Sequence, residues 1–542
     1  MSKMTTRSAP FAALPRTRSF ARDEGGTLII FGLVLLVLMA AMGGFALDLM
    51  RHEERRTQLQ NSLDRCALMA ASLTNDLDPT GVVNDCMQKS GLGTELEQVQ
   101  VTTGLNFKDV RARGRVDTNP IFMHMIGINQ FDALGASGAL QRASNVEIML
   151  VLDVSGSMSG AKIANLKVAA SEFVDTLLSG DTENRFSVTI VPYNAQVNLG
   201  PVLRAKYNAT HVHGVPDVNC LEIPASAYAT VTLSRTLPLP MAAFADVTGG
   251  TYGGNTYTNR TDTNAATMNP SAPFCRNTAA NIVRLPSNDV PTLQAQIDGL
   301  VAGGNTSITL GMKWGVTLLD PGARPMFNEL RAEGAVPAKF TGRPFDWNDQ
   351  DAMKVIVLMT DGEHVSHNKT NDAVKVGPSP IWRSPVDGNF SILHSTAPAP
   401  NQYWVPHLGT WQATPWNSGT RQTWQDVWAA QRQSWVAWQL YARALGTTDA
   451  TRNTAYSNAM TMFQSQYASV ATMDSQLQQS CTLAKTSGVI VYGIAFEAPA
   501  NGQAQISACA SSPAHYFDAQ GLEIQSAFRT IASNITQLKL TQ

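Results

Sequence analysis

The chain has 542 residues, 44% hydrophobic and 15% charged, with a formal net charge of −2. These values exclude a disordered polyelectrolyte and give no basis for a nucleic-acid partner held through its phosphates. The length allows two or three domains at about 100–200 residues each, and no solenoid or propeller period is visible.

Lys3, Arg7, Arg16, Arg18 and Arg22 precede an uncharged run from Thr27 to Leu47, TLIIFGLVLLVLMAAMGGFAL. A bilayer core needs about 20 apolar residues, so the run is long enough to span it. A signal peptide usually has a shorter core of about 7–15 residues and a small-x-small cleavage site. None closes the run before Asp48, so an uncleaved anchor is favoured over a cleaved signal. A helix buried in a soluble core seldom runs this far without a polar face. The basic lead-in favours a cytoplasmic tail over residues 1–26, a single transmembrane helix over 27–47 and an extracytoplasmic remainder. For a bacterial inner-membrane protein that remainder is periplasmic.

From Leu47 the sequence becomes polar and helical, with Leu59, Leu63, Ala67 and Ala70 at helical spacing. Pro79 and Gly81 read as its end. Gln98 to Asp117 reads as strand-rich. Ile121 to Ile126 fits helix or strand equally. Residues 48–140 are thus expected to form a helix with a small strand-rich segment.

The six cysteines, Cys66, Cys86, Cys220, Cys275, Cys481 and Cys509, fall into three sequence-local pairs. In an oxidising compartment they read as Cys66–Cys86, Cys220–Cys275 and Cys481–Cys509 disulfides; in the cytosol they would be six free thiols. No CxxC spacing supports a zinc site.

Residues 145–540 read as one α/β domain with a doubly wound, mostly parallel sheet. Val146 to Leu152 is an apolar run expected of a strand buried on both faces. It ends in Asp153-Val154-Ser155-Gly156-Ser157, ahead of a helical pattern from Ala161 to Leu178. Further strands are expected at 186–193, at 354–359 ending in Thr360-Asp361-Gly362, at 489–496 and from Tyr516. Helices are expected at 290–300, 307–319 and 522–535. Ligands of such sheets sit at the carboxyl ends of the strands. A hard cation such as Mg²⁺ takes about six oxygens, so the hydroxyls and carboxylate of the 153–157 turn need others, which the Gly303-Gly304-Asn305-Thr306 turn and Asp361 offer.

DVSGSM, GGNT and TDGE resemble the three segments of the metal-ion-dependent adhesion site of von Willebrand factor A domains. The resemblance implies Ser155 and Ser157 as direct ligands, Thr306 as a conditional one, and Asp153 and Asp361 as direct or water-mediated carboxylates. It also implies a divalent cation (Mg²⁺, or Mn²⁺ or Ca²⁺) whose sphere a protein partner's carboxylate completes. Thr306 lies further from Asp153 than in a minimal A domain because of an insertion at about 194–289, which contains the loop-like GGTYGGNTYTNRTDTN stretch.

A second insertion, about 363–471, holds eight of the ten tryptophans. Trp424, Trp428, Trp435, Trp438 and Tyr441 are spaced to share one face of a helix. They read first as packing and second as an aromatic partner surface centred on Trp424 and Trp428. His364, beside Asp361, reads first as a plain loop histidine and second as a group that supports the metal ligands or contacts a partner. The pairs His211/His213 and His364/His367 could offer imidazoles to a transition metal, without an HExxH context.

The basic lead-in, the single apolar helix, the following LDLMRHEERRTQLQNSLDRCALMAAS and the terminal CASSPAHYFDAQGLEIQSAFRTIASNI resemble TadG-like proteins of Tad (tight adherence, Flp-type) pilus assembly, whose N-terminal module is pilin-like. That resemblance implies a non-enzymatic, envelope-anchored component that binds pilus or secretion-machine proteins. It departs from the pilin pattern in lacking a clear processing motif, Glu24-Gly25 being a faint echo. Two other classes remain as alternatives: a metal-dependent regulator or chaperone of another membrane complex, and a hydrolase. For the latter, Ser157 in GSMSG misses the GxSxG elbow because Met158 takes the central position.

Overall fold

The computed structural model describes residues 25–72, 77–103, 107–142, 145–181, 183–247, 273–349 and 351–541. Of the N-terminal tail over residues 1–26 only the last two positions are described, and the GGTYGGNTYTNRTDTN stretch lies outside the described residues. The chain divides into two compact units, one up to residue 143 and one from 144 to 541.

The first unit is built on one helix, α1 (Gly25–Ala71). Its N-terminal half carries its apolar side chains exposed from Leu28 to Met42, and it is the one described helix long and apolar enough to cross a membrane. Within the first unit those residues are left uncovered, unlike those of a buried core helix. The C-terminal half buries Leu59, Leu63, Ala67 and Ala70 against an antiparallel sheet of β1 (Leu96–Thr103), β2 (Phe107–Thr118) and β3 (Phe131–Arg142), ordered 1-2-3.

Pro79 proves to start a helix rather than stop one. It is the first residue of α2 (Pro79–Lys89), capped by the Asp78 carboxylate, which accepts from the Gly81 N–H. Proline at this position has no amide to waste, and its fixed φ suits the first turn. Cys66 and Cys86 bridge α1 to α2. Ile121–Ile126 is neither long helix nor strand, but a loop closing in a single 3₁₀ turn at Met123–Ile126.

The second unit is a six-stranded sheet between two helical layers. Its strands are β4 (Asn145–Asp153), β5 (Phe186–Tyr193), β6 (Arg284–Ser287), β7 (Ala352–Thr360), and two more after the second insertion. Those two, Ile490–Phe496 and Tyr516–Ala519, extend the sheet in parallel beyond β7. Spatially β4 lies between β5 and β7, so the strand order reverses at the β4–β7 pair. All pairings are parallel except the edge, where β6 runs antiparallel to β5. The edge strand β6 lies inside the stretch that the sequence assigned to the first insertion; with Pro286 in a four-residue run, it carries too little pattern to be read alone.

The central strands are buried along nearly their whole length. One face is covered by α3 (Ala161–Leu178), α4 (Val290–Gly299) and a C-terminal helix, Glu523–Thr541, through Phe173, Ile297, Phe528 and Ile531. The other is covered by α5 (Ile308–Leu319), which is buried all round, and by helices Val470–Thr486 and Ala500–Cys509. The last two are bridged by Cys481–Cys509. At the amino ends of the strands, Glu147 and Lys354 are register partners and form a buried ion pair. A one-residue slip would bury both charges unpaired, so the pair pins the register that sets Asp153 beside the end of β7.

The second insertion builds a separate hydrophobic core, to which Ala243 and Ala245 of the first insertion also belong. It contains a five-stranded antiparallel sheet over residues 378–423, and helices Trp424–Ala430 and Asp449–Phe463. The tryptophan run is not one helix. It breaks at Gln431–Arg432 and resumes through Gln433–Trp435 into a π-helical turn, Val436–Ala442. The described part of the first insertion is largely irregular and is tied by Cys220–Cys275.

Candidate metal centre

Where the order of a parallel sheet reverses, two strand-end loops diverge and leave a crevice. Here the crevice opens after Asp153 of β4 and Thr360 of β7. Asp153 is fully buried. Its Oδ1 accepts from the Ser155 N–H at 2.7 Å and its Oδ2 from the Thr360 hydroxyl at 2.7 Å. Burial first, and the Asp361 charge second, push its carboxyl up to about 6. Ser155 Oγ and Ser157 Oγ lie 3.0 Å apart, and Ser157 donates to Asp361 Oδ1 at 2.7 Å. Asp361 Oδ2 faces Lys162 Nζ at 2.9 Å.

Backbone bonds stitch the third loop onto the first two. Gly303 N–H donates to Val154 O and Gly156 N–H to Gly304 O, each at 2.8 Å; Val365 N–H donates to Thr306 O at 3.0 Å. Gly303 and Gly304 have φ of 158° and 88°, and the latter is open to glycine far more than to other residues. A Cβ placed on Gly362 would stand 3.5 Å from Thr306 Oγ1 and 3.7 Å from Ser157 Oγ. Asp153, Ser155, Ser157, Thr306 and Asp361 are thus brought to one place, where Ser157 is exposed and the other four are buried.

The donors are three hydroxyls and two carboxylates, all oxygen, which suits a hard divalent cation and not a thiolate- or imidazole-seeking one. Burial and the neighbouring Asp361 charge raise the proton affinity of Asp153, and two carboxylates served by the one Lys162 ammonium leave negative charge that a cation would neutralise. Among the described residues no three His, Cys, Asp or Glu cluster at one point, so any cation here depends on the hydroxyls.

Several residues that hold the site were not singled out from sequence. Asn194, directly after β5, donates from Nδ2 to Gly303 O at 2.8 Å. Tyr193 donates to Met359 O at 2.9 Å beneath the site. Thr360 also accepts from the Gly362 N–H at 3.1 Å. Glu497 reaches Lys162 at 3.7 Å. Strand-end polar residues flanking the reversal point are the signal that could have flagged Asn194.

His364 is not a surface contact. It is buried, its Nε2 accepts from the Thr309 N–H at 3.0 Å, and its Nδ1 donates to Asp474 Oδ1 at 2.7 Å. It satisfies an otherwise orphaned amide in the first turn of α5, tying the Thr306 loop to the Asp361 loop and helix Val470–Thr486. With both nitrogens engaged it is no general base for Ser157. Burial holds it below the usual imidazole range, although Asp474 pulls the other way. His213 and His367 are likewise buried, each bonded to a backbone carbonyl, of Ala242 and Val365, so neither histidine pair presents two free imidazoles.

Trp424 and Trp428 are 6% and 0% exposed and stack on each other against Phe463. The Trp428 indole N–H donates to Val374 O. They form the insertion's core, so an aromatic partner surface built on their side chains is ruled out by burial.

A mostly parallel sheet ordered around a central β4, with one antiparallel edge and helices on both faces, is the doubly wound fold that von Willebrand factor A-type domains have. The N-terminal segment is TadE/G-like: residues 25–73 match the Tad family model, described as "Putative Flp pilus-assembly TadE/G-like". Among solved structures, the chain is similar to the vWF domain of the type V pili tip protein Mfa5 from Porphyromonas gingivalis, at 13% identity over 74% of this chain and 97% of that one, TM-score 0.30. The pilus adhesin SpaC from Lactobacillus rhamnosus GG matches at 10% identity over 81% and 34%, TM-score 0.29. The pilus adhesin RrgA from Streptococcus pneumoniae matches at 12% identity over 81% and 49%, TM-score 0.27. No curated protein matched the chain. The fold assignment stands on the strand order and connections, not on these loose overlays.

Proposed function

We propose that this chain is an envelope-anchored pilus-assembly or adhesion component that binds a protein partner through a divalent cation held at Asp153, Ser155, Ser157, Thr306 and Asp361. The convergence of these five side chains from three loops at the β4–β7 reversal carries the proposal. The TadE/G-like segment supports the pilus context, and the exposed apolar half of α1 supports attachment to the inner membrane with the bulk of the chain outside the cytoplasm. Three disulfides fit an oxidising compartment.

In this reading Ser155, Ser157 and Thr306 present hydroxyl oxygens, Asp153 and Asp361 supply charge, and the exposed Ser157 marks the side from which a partner approaches. A bound Mg²⁺, Mn²⁺ or Ca²⁺ would supply an open coordination position for a partner's carboxylate.

The test is titration of the metal-stripped full chain with Mn²⁺ and Mg²⁺ by calorimetry, alongside partner capture from envelope extracts with and without chelator. Asp153→Ala is expected to abolish metal binding and metal-dependent capture while retaining the fold. Wild-type protein that binds neither ion sinks the proposal.

A further inference from the structure

In the first unit the β2–β3 hairpin descends along α1 toward its apolar end, and successive contacts trace the descent. A Cβ at Gly135 would stand 3.0 Å from atoms of both Leu59 and Leu63. Gln60 Nε2 donates to Ala136 O at 3.1 Å. The rings of Phe131 and His52 lie 5.3 Å apart. Asp48 then accepts the N–H groups of Ile121, Phe122 and Met123 at 2.9, 2.7 and 2.8 Å. Last, the Phe122 ring lies against Gly44 so closely that a Cβ there would overlap it.

Gly44 belongs to the uncharged run that ends at Leu47. At 1.5 Å per residue it lies roughly 5 Å inside the end of that run. The hairpin tip is therefore level with the last turn of the apolar segment. Residues 119–130 contain no Lys, Arg, Asp or Glu. Ile121, Met125 and Ile126 are 58%, 83% and 61% exposed, a cluster of open apolar side chains on a loop that water would otherwise bathe.

We propose that this hairpin tip is a second membrane contact, seated in the headgroup–acyl boundary beside α1 with Ile121, Met125 and Ile126 toward lipid. Continuity with the span selects lipid as the occupant: the tip packs on the same helix turn that crosses the boundary. Loops and helices with an open apolar face and no charge on it partition into that zone. The Asp48 carboxylate, at the edge of the apolar run, is satisfied by three tip amides and so can remain charged there. A single helix is free to tilt and rotate; a second contact fixes both. The inference rests on reading residues 27–47 as a bilayer span.

All six cysteines are disulfide-bonded, so single-cysteine variants of the full chain in lipid nanodiscs can carry an environment-sensitive NBD probe. Met125→Cys tests the tip, Leu35→Cys the span, and Gln100→Cys an exposed strand position above it. The label at 125 is expected to be quenched by headgroup-region spin-labelled lipid and shielded several-fold from iodide relative to 100. If 125 behaves like 100, the contact is refuted. Shielding from iodide without lipid quenching points to a protein occupant, such as a second copy, and equally overturns it. If position 35 is also open to iodide, the span reading itself falls.

Discussion

Lys162, in the first turn of α3, places its ammonium 2.9 Å from the fully buried carboxylate of Asp361 and on the solvent side of it. The side chain of Asp361 has no exposure, whereas that of Lys162 keeps about a quarter. Removing a buried carboxylate from water is costly unless it is paired. Lys162 therefore stabilises the site as it stands and occupies one oxygen that a divalent cation would need. Under the proposed metal reading, binding would exchange one cation for another, with Glu497, 3.7 Å away, able to receive the displaced ammonium.

Lys162→Met is expected to tighten Mn²⁺ binding about ten-fold, or roughly 1.4 kcal/mol, because the competing ammonium is gone. In chelator the same variant should be less stable by about 1–3 kcal/mol, since a buried carboxylate loses its partner. Calorimetry for the first and denaturant unfolding for the second check both halves. Weaker metal binding in the variant would show that the ammonium supports the cation instead of competing with it.

Gly502, in helix Ala500–Cys509, sits against the carbonyl of Gly362 so tightly that a Cβ would overlap it. Gly502→Ala must push the Thr360-Asp361-Gly362 turn away from the helix. Overpacking of this kind costs about 1–3 kcal/mol. Metal affinity is expected to fall as well, although residue 502 ligates nothing, because Asp361 and the Gly362–Thr306 contact move together. Unfolding and metal titration on the same sample check this. A loss of stability with unchanged metal affinity would separate the turn from the site.

Much of this architecture is legible in the chain because burial on both faces leaves nothing polar in a strand: VEIMLVL and KVIVLM announce themselves, and the polar turn after each marks the same sheet edge. The long apolar segment of α1 is equally plain. What escapes has a physical reason in each case. β3, FDALGASGALQR, is rich in small residues with little strand propensity; Gly135 is there so that Leu59 and Leu63 can approach the sheet, a requirement visible only once α1 is placed. Pro79 carries a stop signal and a start signal alike, and Asp78 decides between them. Lys162 looks like an ordinary residue of a polar helix face until β7 brings Asp361 beneath it. For the tryptophans the packing reading holds and the partner-surface alternative fails, as does a partner contact at His364: proximity to Asp361 and aromatic content do not say which side of a residue is covered.

Acid should destabilise the second unit through its buried histidines. Burial holds His213, His364, His367 and His394 below their ordinary value. Between the folded and unfolded values the unfolded chain binds more protons, so stability falls as the pH drops below about 6.5 and is fully present above it. Asp153 acts in the opposite direction: its folded value of about 6 exceeds 3.8, so its contribution to stability improves as the pH falls through that range. Melting temperatures from pH 7.5 to 5 in chelator are therefore best taken on Asp153→Asn, where the opposing contribution is absent. A steady fall below pH 6.5 is expected, and His394→Gln should make it shallower by removing one of the four contributions. A flat profile would mean these imidazoles charge in place without cost.

Asp48 ends the apolar run of α1 and accepts three consecutive amides, those of Ile121, Phe122 and Met123. Burial raises its proton affinity, but these three bonds and Arg51 outweigh it and hold the carboxyl below its ordinary value. One side chain thus organises the start of the hairpin tip, and nothing else in the loop repeats that role: its only other ordered feature is the single turn at Met123–Ile126. Asp48→Ala leaves those amides without an acceptor while the Leu59, Leu63 and Ala67 packing further along α1 remains. Hydrogen exchange of residues 121–123 should accelerate about ten-fold or more, with β2 and β3 protected as before. Asp48→Asn, which keeps one acceptor oxygen, is expected to fall between. Unchanged exchange at 121–123 in the alanine variant would show that the Phe122–Gly44 contact alone sets the tip.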